Sequence, residues 1–254
     1  KYFKDEDGSC FRAYRFVDNS KAYDTVDSAE VFGKSGKAFG RFQKYLSDFP
    51  AESLSEIIKN FHNTIWRYEN EFIPAVQADK ADRAVNCGEE IKFVMHRRED
   101  CKKLVELIEK GELPLRVTHN DTKLNNVLFD SDSDDAICVI DLDTVMPGLA
   151  LYDFGDSIRF GANSCAEDDD NYDKVELMLD YFEAYAKGFL SEAGDALNQC
   201  EIDNLAFSAK LMTFECGMRF LTDYLNGDTY FKTAYPEHNL VRAKNQFALV
   251  ADME

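Results

Sequence analysis

Two polar runs carry the side chains best suited to chemistry in this sequence: His119-Asn120-Asp121-Thr122-Lys123-Leu124-Asn125-Asn126 and Ile140-Asp141-Leu142-Asp143-Thr144. Phosphoryl transfer asks for a carboxylate that takes or orients a hydroxyl proton, oxygen ligands for Mg²⁺ from an Asn and an Asp, and a cation near the moving group. All four are present. Asp121 is the candidate base, Asn126 and Asp141 the candidate metal ligands, and Lys123 the candidate cation. A magnesium ion would also screen nucleotide phosphates from an acidic protein.

These runs must be held at strand ends. Residues 113–118, 126–129 and 136–140 are short apolar runs separated by polar segments, and they read as three strands. Ahead of them, residues 11–17 (FRAYRFV) are aromatic and β-branched between turn-like DEDGS and DNS, the pattern of a strand leaving a hairpin. Helical spacing of apolar residues follows over 27–46, with Asp27 or Ser28 as N-cap, and over 53–60, 66–72 and 88–110. After the strands the spacing is helical again over 151–160, 172–190, 202–225 and 239–253. Gly33, Gly36 and Gly40 share the first of these helices and read as close-packing sites, because no strand-turn-helix context makes them a phosphate cradle. The pattern is a β-rich opening, helices, a small strand cluster and then helices, an α+β class.

Composition narrows the partners. Against 29 Lys and Arg stand 48 Asp and Glu, a net charge of −19, which argues against nucleic acid and anionic membrane as broad partners. An aromatic content of 20 Phe and 12 Tyr marks a folded chain. Seven scattered cysteines without a CxxC pair fit neither a disulfide framework nor a zinc cluster, so a reducing, cytoplasmic compartment is the expectation. No apolar run reaches the roughly 18 residues of a membrane helix, and no charged-then-apolar leader opens the chain.

H-x-D-x-x-x-x-N, here His119, Asp121 and Asn126, with a strand-end aspartate 20 positions after Asp121, resembles the aminoglycoside phosphotransferase and choline kinase branch of the protein-kinase-like superfamily. THNDTKLNNVLFD, CVIDLDTVMPGLALYDFGDSIR and KLMTFECGMRFLTDYL are similar to bacterial N-acetylhexosamine 1-kinases, which phosphorylate the anomeric hydroxyl of GlcNAc or GalNAc with ATP, and the likeness runs through nearly the whole chain. The resemblance implies a protein-kinase-like fold with Asp121 activating the sugar hydroxyl, Lys123 facing the γ-phosphate, Asn126 and Asp141 holding Mg²⁺, and Asp143 as a supporting or second-metal carboxylate. It places sugar contacts at Arg219 and Tyr230. Residues 17–23 would form the hinge beside the adenine, with Phe16, Val17 and Asp18 against the nucleotide.

Kinase-like folds cover the nucleotide with a Gly-rich hairpin and a strand lysine, and neither is visible before the hinge. With Lys1 in place of Met, the expectation is that residues 1–23 are the remnant of an N-terminal nucleotide lobe, that 24–254 form the catalytic and substrate lobe, and that this polypeptide alone turns over poorly.

Other features have plainer readings. Asp153-Phe154-Gly155 spells the metal triplet of eukaryotic protein kinases, but the metal aspartate should end a strand shortly after the catalytic loop, as Asp141 does after ICVI, whereas Asp153 opens an expected helix. Asp153, and Asp156 one turn on, read as capping or loop-bracing groups. His119 reads as a backbone brace. The acidic stretch 167–170 reads as a solvated loop, Cys216 as a buried small hydrophobe, and Trp66 and His62 as packing. Rival functions are a haloacid-dehalogenase-like phosphatase with Asp141 as nucleophile in D-x-D-x-T/V, a non-enzymatic sugar-binding scaffold, and a kinase of the same fold acting on an aminoglycoside or choline-like acceptor. The helical character after Asp141 counts against the phosphatase.

Overall fold

The computed structural model describes residues 2–25 and 27–254. Its first strands are short: β1 (Phe3–Lys4) pairs antiparallel with β2 (Cys10–Phe11) around a turn in which the Asp5 carboxylate accepts from the Asp7 and Ser9 N–H groups, and β3 (Ser20–Lys21) follows. The expected strand over 11–17 is therefore found only at its first residue. Residues 12–17 meet no ladder partner among the described residues, and Tyr14 and Phe16 stand exposed.

Ser28 caps α1 (Ala29–Tyr45), its hydroxyl accepting from Val31 N at 3.2 Å. The three glycines of α1 face a partner helix late in the chain. A Cβ at Gly36 would lie 2.5 Å from the Tyr185 carbonyl and one at Gly40 2.3 Å from that of Phe189, so the two helices meet backbone to backbone, as the spacing predicts. Next come α2 (Thr64–Arg67), a wide turn over Tyr68–Phe72, α3 (Ile73–Ala78), α4 (Gly88–His96) and α5 (Lys103–Glu109). Residues 54–60 are not helical: only Ala51–Ser53 makes a 3₁₀ turn, and Ile57, 58 % exposed, finds no core to face. The single helix expected over 88–110 is broken after His96, where the Arg97 guanidinium turns to the Phe93 carbonyl and to Glu254.

Four more strands position the polar runs: β4 (Arg116–Thr118), β5 (Val127–Asp130), β6 (Ala136–Val139) and β7 (Met146–Gly148). One antiparallel sheet has the order β3-β5-β6, with Ser20 opposite Asp130 and Val127 opposite Val139, and a second pairs β4 with β7, with Thr118 opposite Met146. The loop 119–126 runs from β4 to β5 and the loop 140–145 from β6 to β7, so both cross between the same two sheets and lie side by side. β7 escapes sequence reading because Met-Pro-Gly looks like a turn; Pro147 is tolerated in a two-stranded ladder, and a Cβ at Gly148 would meet Thr118 Oγ1 at 2.4 Å. β3 lies where a hinge was expected.

The rest is helical: α6 (Ala150–Gly161), α7 (Leu179–Ala193), α8 (Gln199–Asp203), α9 (Leu205–Asn226) and α10 (His238–Met253). α6 is buried over nearly its whole length, with Phe154 edge-on to Phe182, Tyr185 and Phe189 of α7, the partner of α1. The arrangement is the α+β class expected of a kinase-like fold, with a helix-rich lobe around small antiparallel sheets. None of the described helices is long and apolar enough to cross a membrane, and all seven cysteines are unpaired.

Candidate active site

Loop 119–126 is fixed from beneath by α6. Asp153, fully buried, accepts the backbone N–H of His119 (2.9 Å) and Asn120 (2.8 Å) and the Gln43 amide (2.8 Å). Burial pushes the Asp153 carboxyl up, against the pull of the His119 ring and these donors. Thr122 donates its hydroxyl to the Asp153 carbonyl (2.6 Å), and Ser157 donates to the Thr122 carbonyl (2.8 Å). Asp153 thus ties the loop down and caps nothing on its own helix.

His119 joins the two loops. Its Nδ1 accepts from Asp121 N (3.3 Å), so the hydrogen sits on Nε2, which donates to the Ile140 carbonyl (2.8 Å). Asn120, at φ 65°, uses the left-handed backbone that Asn tolerates, and its amide donates to the carbonyls of Thr118 and Thr144. Ile140 N donates to the Asn126 carbonyl (2.9 Å), and Thr144 Oγ1 to that of His119 (2.7 Å). This backbone lacing brings the two runs together.

At its tip, Lys123 Nζ lies 2.9 Å from Asp121 Oδ1, and Asn126 Nδ2 donates to the other carboxylate oxygen (3.0 Å) and to the Asp121 carbonyl (2.8 Å). Burial pulls the Lys123 ammonium toward neutrality, but the Asp121 and Asp156 carboxylates outweigh it, and its pKa is raised. The Asn126 amide nitrogen is committed to Asp121, leaving its oxygen as a donor toward a cation. Asp141, at φ 59° and exposed, has no side-chain partner among the described residues. Two oxygen donors on loops joined by the Ile140 N–Asn126 carbonyl bond, the remaining positions being left to phosphates and water, suit Mg²⁺, which seldom uses an all-protein cage. Asp143 instead pairs with Arg12.

Hollows flank these loops. A cleft of about 680 Å³ is bounded by Arg12, Tyr14, Val17, Ile140, Asp141 and Asp143. Of the three expected hinge residues only Val17 lines it; Phe16 is 79 % exposed, and Asp18 lies outside the lining. Another cavity, of about 360 Å³, is lined by Asp121, Lys123, Asp156, Arg159, Glu215 and Arg219. The Arg219 guanidinium lies over the rings of Phe61 (5.0 Å), Phe231 (5.4 Å) and Tyr230 (5.8 Å). Tyr230 itself lines a neighbouring hollow of about 480 Å³ that shares Arg219, and its backbone N–H is held by Asp223 (2.9 Å).

Several residues here were read as bland. Asp156 accepts from Thr122 N (3.2 Å) and from the Arg159 guanidinium (2.9 and 3.0 Å), and Arg159 reaches Glu167 at 2.6 Å. Burial alone would raise the Asp156 carboxyl, but Arg159, His62 and Lys123 together hold it below its ordinary value. Glu167, at the head of the stretch read as solvated, thus braces the cavity wall. His62 and Glu215 line it as well. The available signal was Glu215, a carboxylate within the apolar stretch 211–218 of α9, since a buried acid must be paired. Cys216 keeps its plain reading: burial pushes its thiol up to about 12.

A family model described as the phosphotransferase enzyme family matches residues 3–188, nearly three quarters of the chain. The match contains both loops and all of α6; Glu215, Arg219 and Tyr230 lie beyond it.

Proposed function

The chain belongs to the phosphotransferase enzyme family, and from that premise we propose that it transfers the γ-phosphoryl group of Mg-ATP to the anomeric hydroxyl of an N-acetylhexosamine. The observation that carries this reading is the position of the Asp121-Lys123-Asn126 cluster beside the smaller cavity, with Asp141 in the larger cleft and the two loops laced together. The nucleotide takes the Asp141 side and the acceptor the Asp121 side. Asp121 Oδ2 draws the proton from the sugar hydroxyl as the sugar oxygen attacks the γ-phosphorus and the bond from that phosphorus to the β,γ-bridging oxygen breaks, releasing ADP, and Lys123, kept charged by its neighbours, meets the negative charge of the transferring group. Asn126 and Asp141 would hold Mg²⁺, which would supply positive charge against the nucleotide phosphates.

The cavity wall favours a neutral acceptor. Asp156 and Glu167 are bonded to Arg159, and Glu215 to His62, so these acids are not free for a polycation, while Lys123, Arg219 and Arg242 face the same space. An aromatic cage for a quaternary ammonium is already filled, because Arg219 occupies Phe61 and Phe231 and Arg242 lies over Phe220 at 5.4 Å. The phosphatase alternative needs a nucleophilic aspartate ending the first strand of a parallel sheet, whereas Asp141 follows a strand of an antiparallel one. The test is ADP release, with the protein in the longest form its gene encodes, over a panel of GlcNAc, GalNAc, kanamycin and choline with Mg-ATP. Turnover on the two N-acetylhexosamines alone supports the reading, and turnover confined to the cationic acceptors overturns it.

A further inference from the structure

His62 sits just ahead of α2 and borders both the acceptor cavity and a recess of about 220 Å³ that also touches Asn120, Met146 and Tyr152. It is 8 % exposed. Its Nδ1 lies 2.8 Å from Glu215 Oε1, and the other oxygen of Glu215 accepts from the Thr64 hydroxyl at 2.5 Å. Burial alone would raise the Glu215 carboxyl, but His62, Arg67 and Arg219 outweigh it and keep it below its ordinary value, so a carboxylate faces Nδ1. A carboxylate there holds a hydrogen on Nδ1 and leaves Nε2 as the ring's unmatched polar atom. No group among the described residues bonds to that nitrogen. The ring is held between Phe61 (centroids 4.2 Å apart) and Tyr152 (5.1 Å), so it is not free to swing toward another partner. Buried polar atoms are rarely left unmatched, and this ring lines the cavity that Asp121 also lines.

We propose that His62, oriented by Glu215, is a specificity-determining group of the acceptor site, its Nε2 forming a hydrogen bond with a hydroxyl of the sugar seated against Asp121. The inference rests on the acceptor reading above. It assigns the ligand's side of the contact: a hydroxyl on a neutral polyol, set away from the hydroxyl that is phosphorylated. Thr64 and Glu215 are positioning residues that act through His62.

The test is nitrogen NMR on protein labelled at its imidazole nitrogens, titrated with GlcNAc without nucleotide, alongside calorimetry on the same samples. The chain has four histidines, and His62→Phe assigns the signal while preserving the ring stack. The expected result is a His62 Nε2 resonance that moves as sugar is added and saturates with the calorimetric Kd. His62→Phe then weakens sugar binding about three- to tenfold, the loss of one hydrogen bond, and His62→Gln, whose amide can hydrogen-bond at the same place, recovers part of it. A thermal melt of each variant confirms that it is folded. Calorimetric binding without movement of the Nε2 resonance, or unweakened binding by folded His62→Phe, overturns the proposal and leaves the acceptor reading standing. Absence of any calorimetric binding of GlcNAc or GalNAc instead defeats the acceptor reading and this inference with it.

Discussion

Removing the Asp153 carboxylate should cost more stability than its distance from the chemistry suggests. Three buried donors converge on it: the N–H groups of His119 and Asn120 and the Gln43 amide, at 2.8 to 2.9 Å. A hydrogen bond to a charged group contributes about 1.5–3 kcal/mol, and a buried donor left unmatched costs about 1–3 kcal/mol. Three such losses would sum to about 9 kcal/mol at most, but contributions within one network do not add and water can enter the space left by the side chain. For Asp153→Ala the expected loss is about 3–5 kcal/mol, a large share of the 5–15 kcal/mol typical of a whole domain. Asp153→Asn keeps one accepting oxygen, and Gln43 Oε1, buried without a partner, can turn to accept from the new amide while giving up its own donor contact to the Val117 carbonyl. Its loss should be about 2 kcal/mol. Urea unfolding measures both, and amide exchange at His119 and Asn120 locates the damage, since their N–H groups lose protection before those of β4. A loss below about 1 kcal/mol for Asp153→Ala, or a larger one with unchanged exchange at those two amides, would refute the bracing role.

Other outcomes follow from the same geometry. Asp121→Asn should lower turnover by about 10²- to 10⁴-fold, the usual range for a general base, while calorimetric sugar binding persists; unchanged turnover would remove Asp121 from the chemistry. Gly40→Ala, whose Cβ would lie 2.3 Å from the Phe189 carbonyl, should cost about 1–3 kcal/mol in urea unfolding, whereas Gly88→Ala, with open space around it, should be neutral or stabilising by up to about 1 kcal/mol. Asp156 and Glu215 are held below their ordinary 3.8 and 4.5, so their contribution to stability is present above those values and lost as pH falls through the lower folded ones. The urea midpoint should hold from about pH 7 to about pH 5 and fall below that, and Glu215→Gln should flatten the acid limb; a midpoint rising in acid would contradict the sign.

Local chemistry was the legible part of the sequence. The spacing of His119, Asp121 and Asn126, followed by a strand-end Asp141, predicts loops at strand ends, and lacing such as Ile140 N to the Asn126 carbonyl brings those loops together. Ser28 as cap and the glycines of α1 were legible because capping and close packing depend on single residue types. Some of the misses share a cause, which is that the partners lie far away in sequence. His62 and Glu215 are 153 positions apart, and neither has local spacing that marks it as one of a pair. Glu167 looked like part of a solvated acidic run because its guanidinium partner, Arg159, sits on the far side of a helix end. β7 hid behind Pro147 and Gly148, whose turn-like character is overridden by pairing with β4. The helices expected over 53–60 and 88–110 failed where apolar spacing lacked a surface to bury against, as at Ile57, or where side-chain contacts drew the chain aside, as at Arg97.

The most direct test of the account is phosphorus NMR of the products formed from Mg-ATP and GlcNAc by the protein in the longest form its gene encodes, with Asp121→Asn as control. The account predicts a sugar phosphate whose phosphorus couples to the anomeric proton, absent from the control. A phosphate on any other sugar oxygen, or phosphorylation of a cationic acceptor with none of GlcNAc or GalNAc, would contradict it.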